Sequence, residues 1–540
     1  MAVVTLVAAA QGAFGGVPDS ISLADVTVTG EYDLVYHMRH ERVPNPATGR
    51  MESIQFPDSV MSIPSDRFDT WEPARQRRRA QSTGFEDTGW AFSSSSRVLT
   101  YNYPSVDADG NTVILSSALC AQRGGSTAKS KLIIGCHVTI TSNKECPTEY
   151  NKSASILAFK SDVGMLYYHA KYGDEVVILP DYEGYGVTAD RAHPYLYQEL
   201  TARQVVDAVR YGKALYDAMA DDDEWMRFTG DWHSVSIGYS QGGSVSLATH
   251  RFIEENNLDG ELRFAGSVCG DGPYDPVAHL QYYMNDNGTS YDGSNTTSHT
   301  RGKIAMPVVL PLILKGMCDR NPYMKQHTIG NYLSTMFLDT GIIDWLNAKS
   351  KEASEQYTTS DVNDALEKMR KNGFSNNGRT YSASAVQQML VDKIDGNVVG
   401  DTRYMFTTAC YNYFNTASNF TSVPTTRGTM QDLHRALASN SMVHGWTPRH
   451  KVAFFHSTYD TVVPYENLRS FISNHKDLVY YGDTRSGISG VSRTSDPSAA
   501  DVYIIDNQCT DDHVDAGTKF YFSAFGTSIE NQLEAWILGQ

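Results

Sequence analysis

The sequence of 540 residues predicts an α/β fold, in which helices cover both faces of a mostly parallel sheet. Short, continuous apolar runs bounded by turn residues alternate with helix-like stretches. The alternation stops near residue 274 and resumes near residue 447, which indicates a unit inserted between two strands of one sheet. The pentapeptide Gly238–Gly242 also reads G-x-S-x-G between a β-prone run and a helix-like run, an arrangement typical of α/β enzymes.

Residues 1–94 do not follow this alternation. β-prone segments at Asp25–Gly30 and Asp33–Tyr36 precede an irregular, charged stretch that contains the basic run Arg75–Arg79. A short basic run is typical of a solvated loop or helix face. We therefore expect an N-terminal extension that packs against the core.

The first part of the core is expected over residues 95–273. The apolar runs Arg97–Tyr103 and Thr112–Leu119 flank an Asp-Gly pair at Asp109 and Gly110, which predicts a β-hairpin. The alternation then predicts strands at Lys131–Cys136, Glu175–Pro180, His233–Ile237 and Leu262–Val268, and helices at Ser153–Tyr172, Gln198–Ala220 and Gly243–Ile253.

Residues 274–446 carry helix patterns, such as Ser360–Lys371, and no clear strand. We expect them to form a helical cap or lid inserted into the core. The core pattern resumes over residues 447–540, with strands at Lys451–Phe455 and Val502–Ile505 and a helix at Gly517–Leu538.

Composition excludes several classes of function. The net charge of −17 argues against a nucleic-acid or anionic-membrane partner, since either would require a basic face. No apolar run approaches the ~18 residues of a membrane span. The segment Met1–Ala10 is apolar but lacks the basic start of a complete export signal, so a trimmed signal and a plain strand or tail both remain open.

The seven cysteines show no C-x-x-C spacing, which argues against a structural zinc site. Cys136 and Cys146 bracket one loop and could form a disulfide, although spacing does not determine connectivity. We expect no bound metal.

The G-x-S-x-G motif predicts that Ser240 is a nucleophile on a sharp strand-to-helix turn, where glycine is needed on both sides. A serine hydroxyl requires an adjacent base, and in this kind of fold the acid and the base follow the serine in chain order. Asp460 comes after the strand Lys451–Phe455, and His513 comes after the strand Val502–Ile505. We therefore predict a catalytic triad of Ser240, Asp460 and His513.

An oxyanion hole needs two backbone N–H groups directed at the developing negative charge. The first is expected from Gln241, directly after the nucleophile, and the second from Val138 or Thr139 in the loop after the Lys131–Cys136 strand.

Three aromatic side chains near these positions are candidates for substrate contact: His137, Tyr182 and Tyr239. For His137, as for His193, a structural hydrogen bond is the alternative. His456, which begins the turn toward Asp460, is expected to shape that loop.

Several motifs together carry a resemblance to a known family. They are Pro180–Gly186, His193–Leu196, Gly238–Gly243, and His456–Asp460 with Val463 and Pro464. From Arg97 to Gln540 the chain resembles the α/β-hydrolase superfamily of serine esterases, and more narrowly its secretory-lipase-like branch. The resemblance implies the α/β-hydrolase fold with a helical cap, carboxylic-ester hydrolysis without a cofactor, and a secreted or periplasmic location. The N-terminal extension falls outside it.

The leading hypothesis is a serine esterase or lipase-like enzyme that acts on a small-molecule or polymer-derived ester through an acyl-enzyme. A serine exopeptidase with the same triad is the alternative, although about 94 residues are too few for the β-propeller that some of these enzymes carry. A non-catalytic binding module would be marked by loss of a triad member, and none is lost.

Overall fold

The computed structural model describes residues 16–18, 20–45, 48–65, 96–122, 127–150, 156–158, 162–220, 225–284, 302–394, 396–482, 486–506, 511–523 and 527–540. The apolar segment 1–10, the basic run 75–79 and Cys509 lie outside the described residues.

The largest sheet of the described chain has thirteen strands, in the order β17-β16-β18-β15-β9-β8-β5-β7-β4-β3-β1-β2-β6, and two smaller sheets have three strands and two strands. The eight strands from β17 to β7 run parallel, and the remaining five pair antiparallel. These strands are β1 Thr27–Pro44, β2 Met51–Pro64, β3 Ser96–Val106, β4 Thr112–Gln122, β5 Lys129–Cys136, β6 Ile156–Ala158, β7 Glu175–Pro180, β8 Phe228–Tyr239, β9 Phe264–Gly270, β15 Lys451–Phe455, β16 Val479–Tyr481, β17 Ser492–Arg493 and β18 Val502–Ile505.

The central strands are apolar throughout because both faces of the sheet are covered. In β7, Val176 and Ile178 pack into one hydrophobic cluster, whereas Val177 and Leu179 pack into another on the opposite face. This alternation between two cores confirms the α/β class that the continuous apolar runs predict.

The described helices are α1 Pro147–Tyr150, α2 Asp162–His169, α3 Gln198–Ala220, α4 Gln241–Glu255, α5 Asp259–Leu262, α6 Pro276–Met284, α7 Val309–Arg320, α8 Thr335–Leu338, α9 Ile342–Asn347, α10 Thr359–Asn372, α11 Ala383–Met389, α12 Thr402–Met405, α13 Thr408–Phe414, α14 Thr429–Ser439, α15 Glu466–Asn474, α16 His513–Tyr521 and α17 Ile529–Leu538. Helices α3, α4 and α15 pack on one face of the sheet, and α2, α16 and α17 pack on the other. In α3, Ala202, Val205, Val206 and Val209 recur at helical spacing and form the buried stripe. Among the described helices, none is both long and apolar enough to cross a lipid bilayer.

The N-terminal extension enlarges the sheet. The two short strands predicted at its start are one continuous strand, β1, with a register shift between Val28 and Gly30. Strand β1 pairs with β3 of the core and with β2, and an ion pair between Arg97 Nε and Asp33 Oδ1 at 3.2 Å joins the extension to β3.

The segment between β9 and β15, which we call the cap, is mostly helical and has a hydrophobic cluster of its own. Two core segments join that cluster, through Tyr195 and Leu196 and through Val462 and Val463. The described cap also contains short strands that the sequence analysis does not anticipate, because runs of three to five residues show too little periodicity. They are β10 Lys303–Ala305, β11 Phe374–Asn376, β12 Arg379–Tyr381, β13 Leu390–Ile394 and β14 Asn397–Asp401.

Two helix predictions are wrong in extent. Within the predicted helix 153–172, Ile156–Ala158 instead forms strand β6 against β2, and the helix begins at Asp162. The predicted helix 517–538 is two helices. The first helix ends at Tyr521, before Phe522 becomes extended. The second begins at Ile529, and the hydroxyl of Ser528 caps it by accepting from the Asn531 N–H.

Cys136 and Cys146 do not pair. Both are buried free thiols, as are the other cysteines that the structure describes, Cys120, Cys269, Cys318 and Cys410.

Candidate active site

Ser240 occupies the turn between strand β8 and helix α4. Its backbone has φ 57° and ψ −125°, a conformation that is unfavourable for a residue with a side chain. A Cβ atom at Gly238 would lie 2.3 Å from the carbonyl oxygen of Gly242, and one at Gly242 would lie 2.0 Å from the carbonyl oxygen of Cys136. The turn is therefore too close to its own helix and to β5 for any residue but glycine at these two positions.

We expect Gly242→Ala to destabilise the protein by about 3 kcal/mol, because the new methyl group must displace the backbone of β5. Denaturant unfolding measures this change. The matched control is Gly260→Ala, since a Cβ atom at Gly260 in α5 meets no atom within 4 Å. Equal free energies of unfolding for the two variants would contradict the steric argument.

The structure brings Ser240, His513 and Asp460 together at the carboxyl ends of three parallel strands. His513 Nε2 lies 2.8 Å from Ser240 Oγ, and His513 Nδ1 lies 2.5 Å from Asp460 Oδ2. The other oxygen of Asp460 accepts the N–H groups of Val462 and Val463 at 2.7 and 2.6 Å. The backbone thus orients the carboxylate, and the carboxylate orients the imidazole.

Neighbouring carboxyl groups set the pKa of His513. Burial alone would lower this pKa, but the nearby carboxyl groups, with Asp460 foremost, together outweigh burial, so the pKa of His513 is raised. The two neighbouring histidines behave in the opposite way. Burial lowers the pKa of His279 to about 3 and that of His456 to about 4, so both are neutral at pH 7. His456 Nε2 lies 3.1 Å from the carbonyl oxygen of Val463, so His456 braces the loop that carries Asp460.

Gln241 is the first residue of α4, directly after the serine. Its side-chain amide donates to His193 Nε2 at 2.7 Å, and His193 Nδ1 donates to the carbonyl oxygen of Glu183 at 2.8 Å. Burial lowers the pKa of His193 to about 3, which keeps its imidazole neutral and able to accept from Gln241. His193 therefore has the structural hydrogen-bonding role given above as the alternative to substrate contact.

The two candidates for the second N–H group of the oxyanion hole, Val138 and Thr139, differ in their contacts. The Val138 N–H donates to Asp162 Oδ2 at 2.5 Å and is therefore already engaged. The Thr139 hydroxyl lies 2.7 Å from the Tyr195 hydroxyl, and no bond of the Thr139 N–H is found among the described contacts. The sequence could not reveal this difference, because Asp162 lies 24 residues further along the chain.

The three predicted substrate contacts lie behind Ser240, His513 and Asp460. His137 stacks on Tyr182 with ring centroids 4.0 Å apart, and its ring nitrogens lie 2.7 and 3.2 Å from the carbonyl oxygens of Val138 and Asp181. Tyr239 packs against the ring of His513. None of the three lines the space beside Ser240, because each is buried in the packing that supports the site.

The space beside Ser240 is small, with a volume of about 10 Å³, which is about the least that can hold a single water molecule. The cap closes it through Val309 and Ile313 of helix α7. Sequence reasoning missed most of this lining, since it depends on how the cap docks. The lining residues besides Ser240 are Tyr195, Leu196, Pro273, His279, Val309, Ile313, Val462 and Val463.

A larger cavity of about 550 Å³ lies on the other side of helix α6. Val277, Ala278 and Gln281 face this cavity, whereas His279 faces Ser240. The two spaces share no lining residue, so the large cavity does not serve Ser240 in this closed arrangement.

His250, Glu254 and His450 form one of the clusters whose atoms are close enough to hold a metal ion. Glu254 Oε1 accepts the N–H groups of Arg449 and His450, and its Oε2 accepts the indole N–H of Trp446. Both oxygens of this carboxylate therefore accept hydrogen bonds from the protein, and these bonds tie α4 to the segment before β15.

No protein-family model and no curated protein sequence matches the chain, but solved structures do. A mutant of the rice cell wall degrading esterase LipA from Xanthomonas oryzae aligns with a TM-score of 0.51 and 17% identity, over 82% of this chain and 89% of that chain. A Legionella pneumophila protein named as a candidate hydrolase aligns with a TM-score of 0.52 and 15% identity, over 82% and 88% of the two chains.

Proposed function

Because the chain has the α/β-hydrolase fold, we propose that it is a serine carboxylic-ester hydrolase. Ser240 is the nucleophile, His513 the general base, and Asp460 the acid that orients the base. The observation that carries the proposal is the pair of contacts from Ser240 Oγ to His513 Nε2 at 2.8 Å and from His513 Nδ1 to Asp460 Oδ2 at 2.5 Å.

In the first step, Ser240 Oγ attacks the ester carbonyl carbon while its proton passes to His513 Nε2. Asp460 holds the imidazole in the required tautomer and stabilises the imidazolium. The negative charge that develops on the carbonyl oxygen accepts hydrogen bonds from the N–H groups of Gln241 and Thr139. Each such donor contributes about 3 kcal/mol in comparable enzymes.

In the second step, the tetrahedral intermediate collapses to an acyl-Ser240 ester. The leaving alcohol takes the proton from His513. Water then attacks the acyl-enzyme with His513 as base, and the carboxylic acid departs as Ser240 recovers its proton. This cycle requires no cofactor.

The substrate class follows from the walls of the space beside Ser240. Leu196, Val309, Ile313 and Val462 are apolar, so we propose an ester with an apolar acyl or aromatic group. A space of about 10 Å³ holds no such group, so the proposal includes a movement of α7 away from Ser240 when the ester binds. The likeness to a cell wall degrading esterase adds polymer-derived esters to the proposal, and the resemblance in the sequence motifs adds a secreted or periplasmic location.

Turnover of a substrate panel tests the function. The panel contains p-nitrophenyl esters of increasing acyl length, feruloyl esters, acetylated sugars and aminoacyl anilides. We expect the esters to be hydrolysed much faster than the anilides. Faster hydrolysis of the anilides would instead support the serine exopeptidase, and turnover of neither class would contradict a hydrolase of these bonds.

The acid limb of the pH profile gives a further prediction. Only neutral His513 can accept the Ser240 proton, so kcat/KM should rise with pH through the raised pKa of His513, above the ~6.5 of an ordinary histidine. Asp460→Asn should move this limb to lower pH, because the carboxylate that raises the pKa of His513 is gone.

The control for this profile is Asp207→Asn. This change removes a buried carboxylate that accepts hydrogen bonds from Arg203 and Ser105, where α3 packs on β3. Its acid limb should coincide with that of the wild type. An acid limb at or below the ordinary histidine value in the wild type would contradict the prediction.

A further inference from the structure

Asp271 is a second buried carboxyl group beside the catalytic residues. It directly follows strand β9, its φ is 37°, and its side chain is fully buried. Its Oδ1 accepts the N–H of Ser457 at 2.7 Å and lies 3.5 Å from His456 Nε2. Its Oδ2 lies 2.5 Å from the hydroxyl of Tyr239. The cycle described above does not use this group.

The hydroxyl of Tyr239 lies between two oxygen atoms. One is Asp271 Oδ2, and the other is the backbone carbonyl oxygen of His513, at 2.6 Å. A phenol has a single proton, and a carbonyl oxygen can only accept a hydrogen bond. Because the Tyr239 hydroxyl donates its one proton to the hydrogen bond with the His513 carbonyl oxygen, it can only accept a hydrogen bond from Asp271. The short contact to Asp271 therefore requires a proton on the Asp271 carboxyl group.

The surroundings also favour a neutral Asp271. A carboxyl oxygen of Asp271, a ring nitrogen of His456 and a carboxyl oxygen of Asp460 all lie within 4.8 Å of one another. Two buried carboxyl groups this close do not both ionise at neutral pH. Asp460 is compensated by His513 and by two backbone N–H groups. Burial first, and the Asp460 charge second, raise the pKa of Asp271 well above its usual range.

Among the described residues, the other titratable groups found beside Asp271 are His513, Tyr239, Tyr274 and His456. His513 lowers the pKa of Asp271, the Tyr239 hydroxyl bonds to it, and Tyr274 and His456 lie alongside. His456 is neutral, so it supplies no counter-charge.

We propose that Asp271 acts as a neutral carboxylic acid and is a positioning residue, which holds His513 in place through Tyr239. The chain of contacts is continuous. Asp271 donates to Tyr239, Tyr239 donates to the backbone of His513, and the ring of Tyr239 packs 5.1 Å from the imidazole. Through the Ser457 N–H, Asp271 also holds the loop that carries Asp460. This inference rests on the proposed function for its kinetic consequences only.

Substitutions at Asp271 test the role without straining the backbone. Asp271→Asn keeps a donor for Tyr239 and an acceptor for the Ser457 N–H, and asparagine tolerates a positive φ. Asp271→Gly removes the side chain, and glycine accepts this φ freely. We expect the Asn variant to keep kcat within about threefold of the wild type and the Gly variant to lose about 10- to 100-fold in kcat, with KM nearly unchanged.

Tyr239→Phe keeps the ring against His513 and removes only the hydroxyl. Its loss in kcat should resemble that of Asp271→Gly, and the double variant should be no worse than either single variant, because both changes break one chain of contacts. Additive losses, or an Asn variant as slow as the Gly variant, would overturn the proposal.

Infrared spectroscopy tests protonation without any substrate. The difference spectrum between the wild type and Asp271→Asn at neutral pH should contain the carbonyl band of a protonated carboxylic acid. A carboxylate band in its place would overturn the neutral state of Asp271. This result stands even if the wild type hydrolyses no ester, so failure of the inference can be distinguished from failure of the proposed function.

Discussion

Ser240→Ala is expected to abolish ester hydrolysis, with a loss in kcat of about 10⁴- to 10⁶-fold, while the Tm stays nearly unchanged. In the proposed mechanism the hydroxyl of Ser240 forms the acyl-enzyme, and no other serine, threonine or cysteine is among the described residues that line the space beside it. Alanine has the same Cβ as serine, so it adds no strain at φ 57°. Among the described contacts, the hydrogen bond that the variant loses is the one to His513.

Initial rates on the best ester of the panel, together with thermal unfolding, measure this prediction. The matched control is Ser244→Ala, one turn further along α4, where the lost hydroxyl donates to the Gln241 carbonyl oxygen and touches no reacting atom. The control should hydrolyse the ester at close to the wild-type rate. Appreciable turnover by Ser240→Ala would remove Ser240 from the role of nucleophile.

His513→Ala is expected to lose about the same factor, ~10⁴- to 10⁶-fold in kcat, because the members of a triad act as a unit. Without the imidazole, the Ser240 hydroxyl keeps its proton and is a weak nucleophile. The Ser240→Ala/His513→Ala double variant should therefore be no slower than either single variant.

Unlike Ser240→Ala, His513→Ala should also lower stability, by about 1–3 kcal/mol, since it leaves the Asp460 carboxylate buried without its partner. His444→Ala is the control, because this half-exposed histidine is remote from Ser240 and its loss should change neither rate nor Tm. A mild kinetic effect of His513→Ala would assign the base to another group, and the buried His279 would be the first candidate to examine.

Most of the sheet and the three catalytic candidates could be predicted from the sequence because their signals are local. Val176–Leu179 is continuously apolar, as a strand covered on both faces must be, and Asp109 with Gly110 marks the hairpin between β3 and β4. The glycines on both sides of Ser240 predict the tight turn. Asp460 and His513 each follow a recognisable strand in the expected chain order.

Other features depend on contacts between distant segments. The joining of β1 to β3, the engagement of the Val138 N–H by Asp162 and the closure of Ser240 by Val309 and Ile313 leave no periodic pattern in the sequence. The same is true of the break between α16 and α17 inside the predicted helix 517–538, where the Ser528 cap matters more than hydrophobic spacing.

The sequence by itself therefore determined the fold class and named Ser240, Asp460 and His513, because strand patterning, turn glycines and chain order are properties of short segments. Only the tertiary structure decided which of the two candidate N–H groups is engaged by Asp162, which side chains enclose Ser240, and that Asp271 lies within hydrogen-bond distance of Tyr239. These depend on how the cap and the loops after β5, β9 and β15 pack together, and side-chain packing across such separations is set by shape and burial rather than by local spacing.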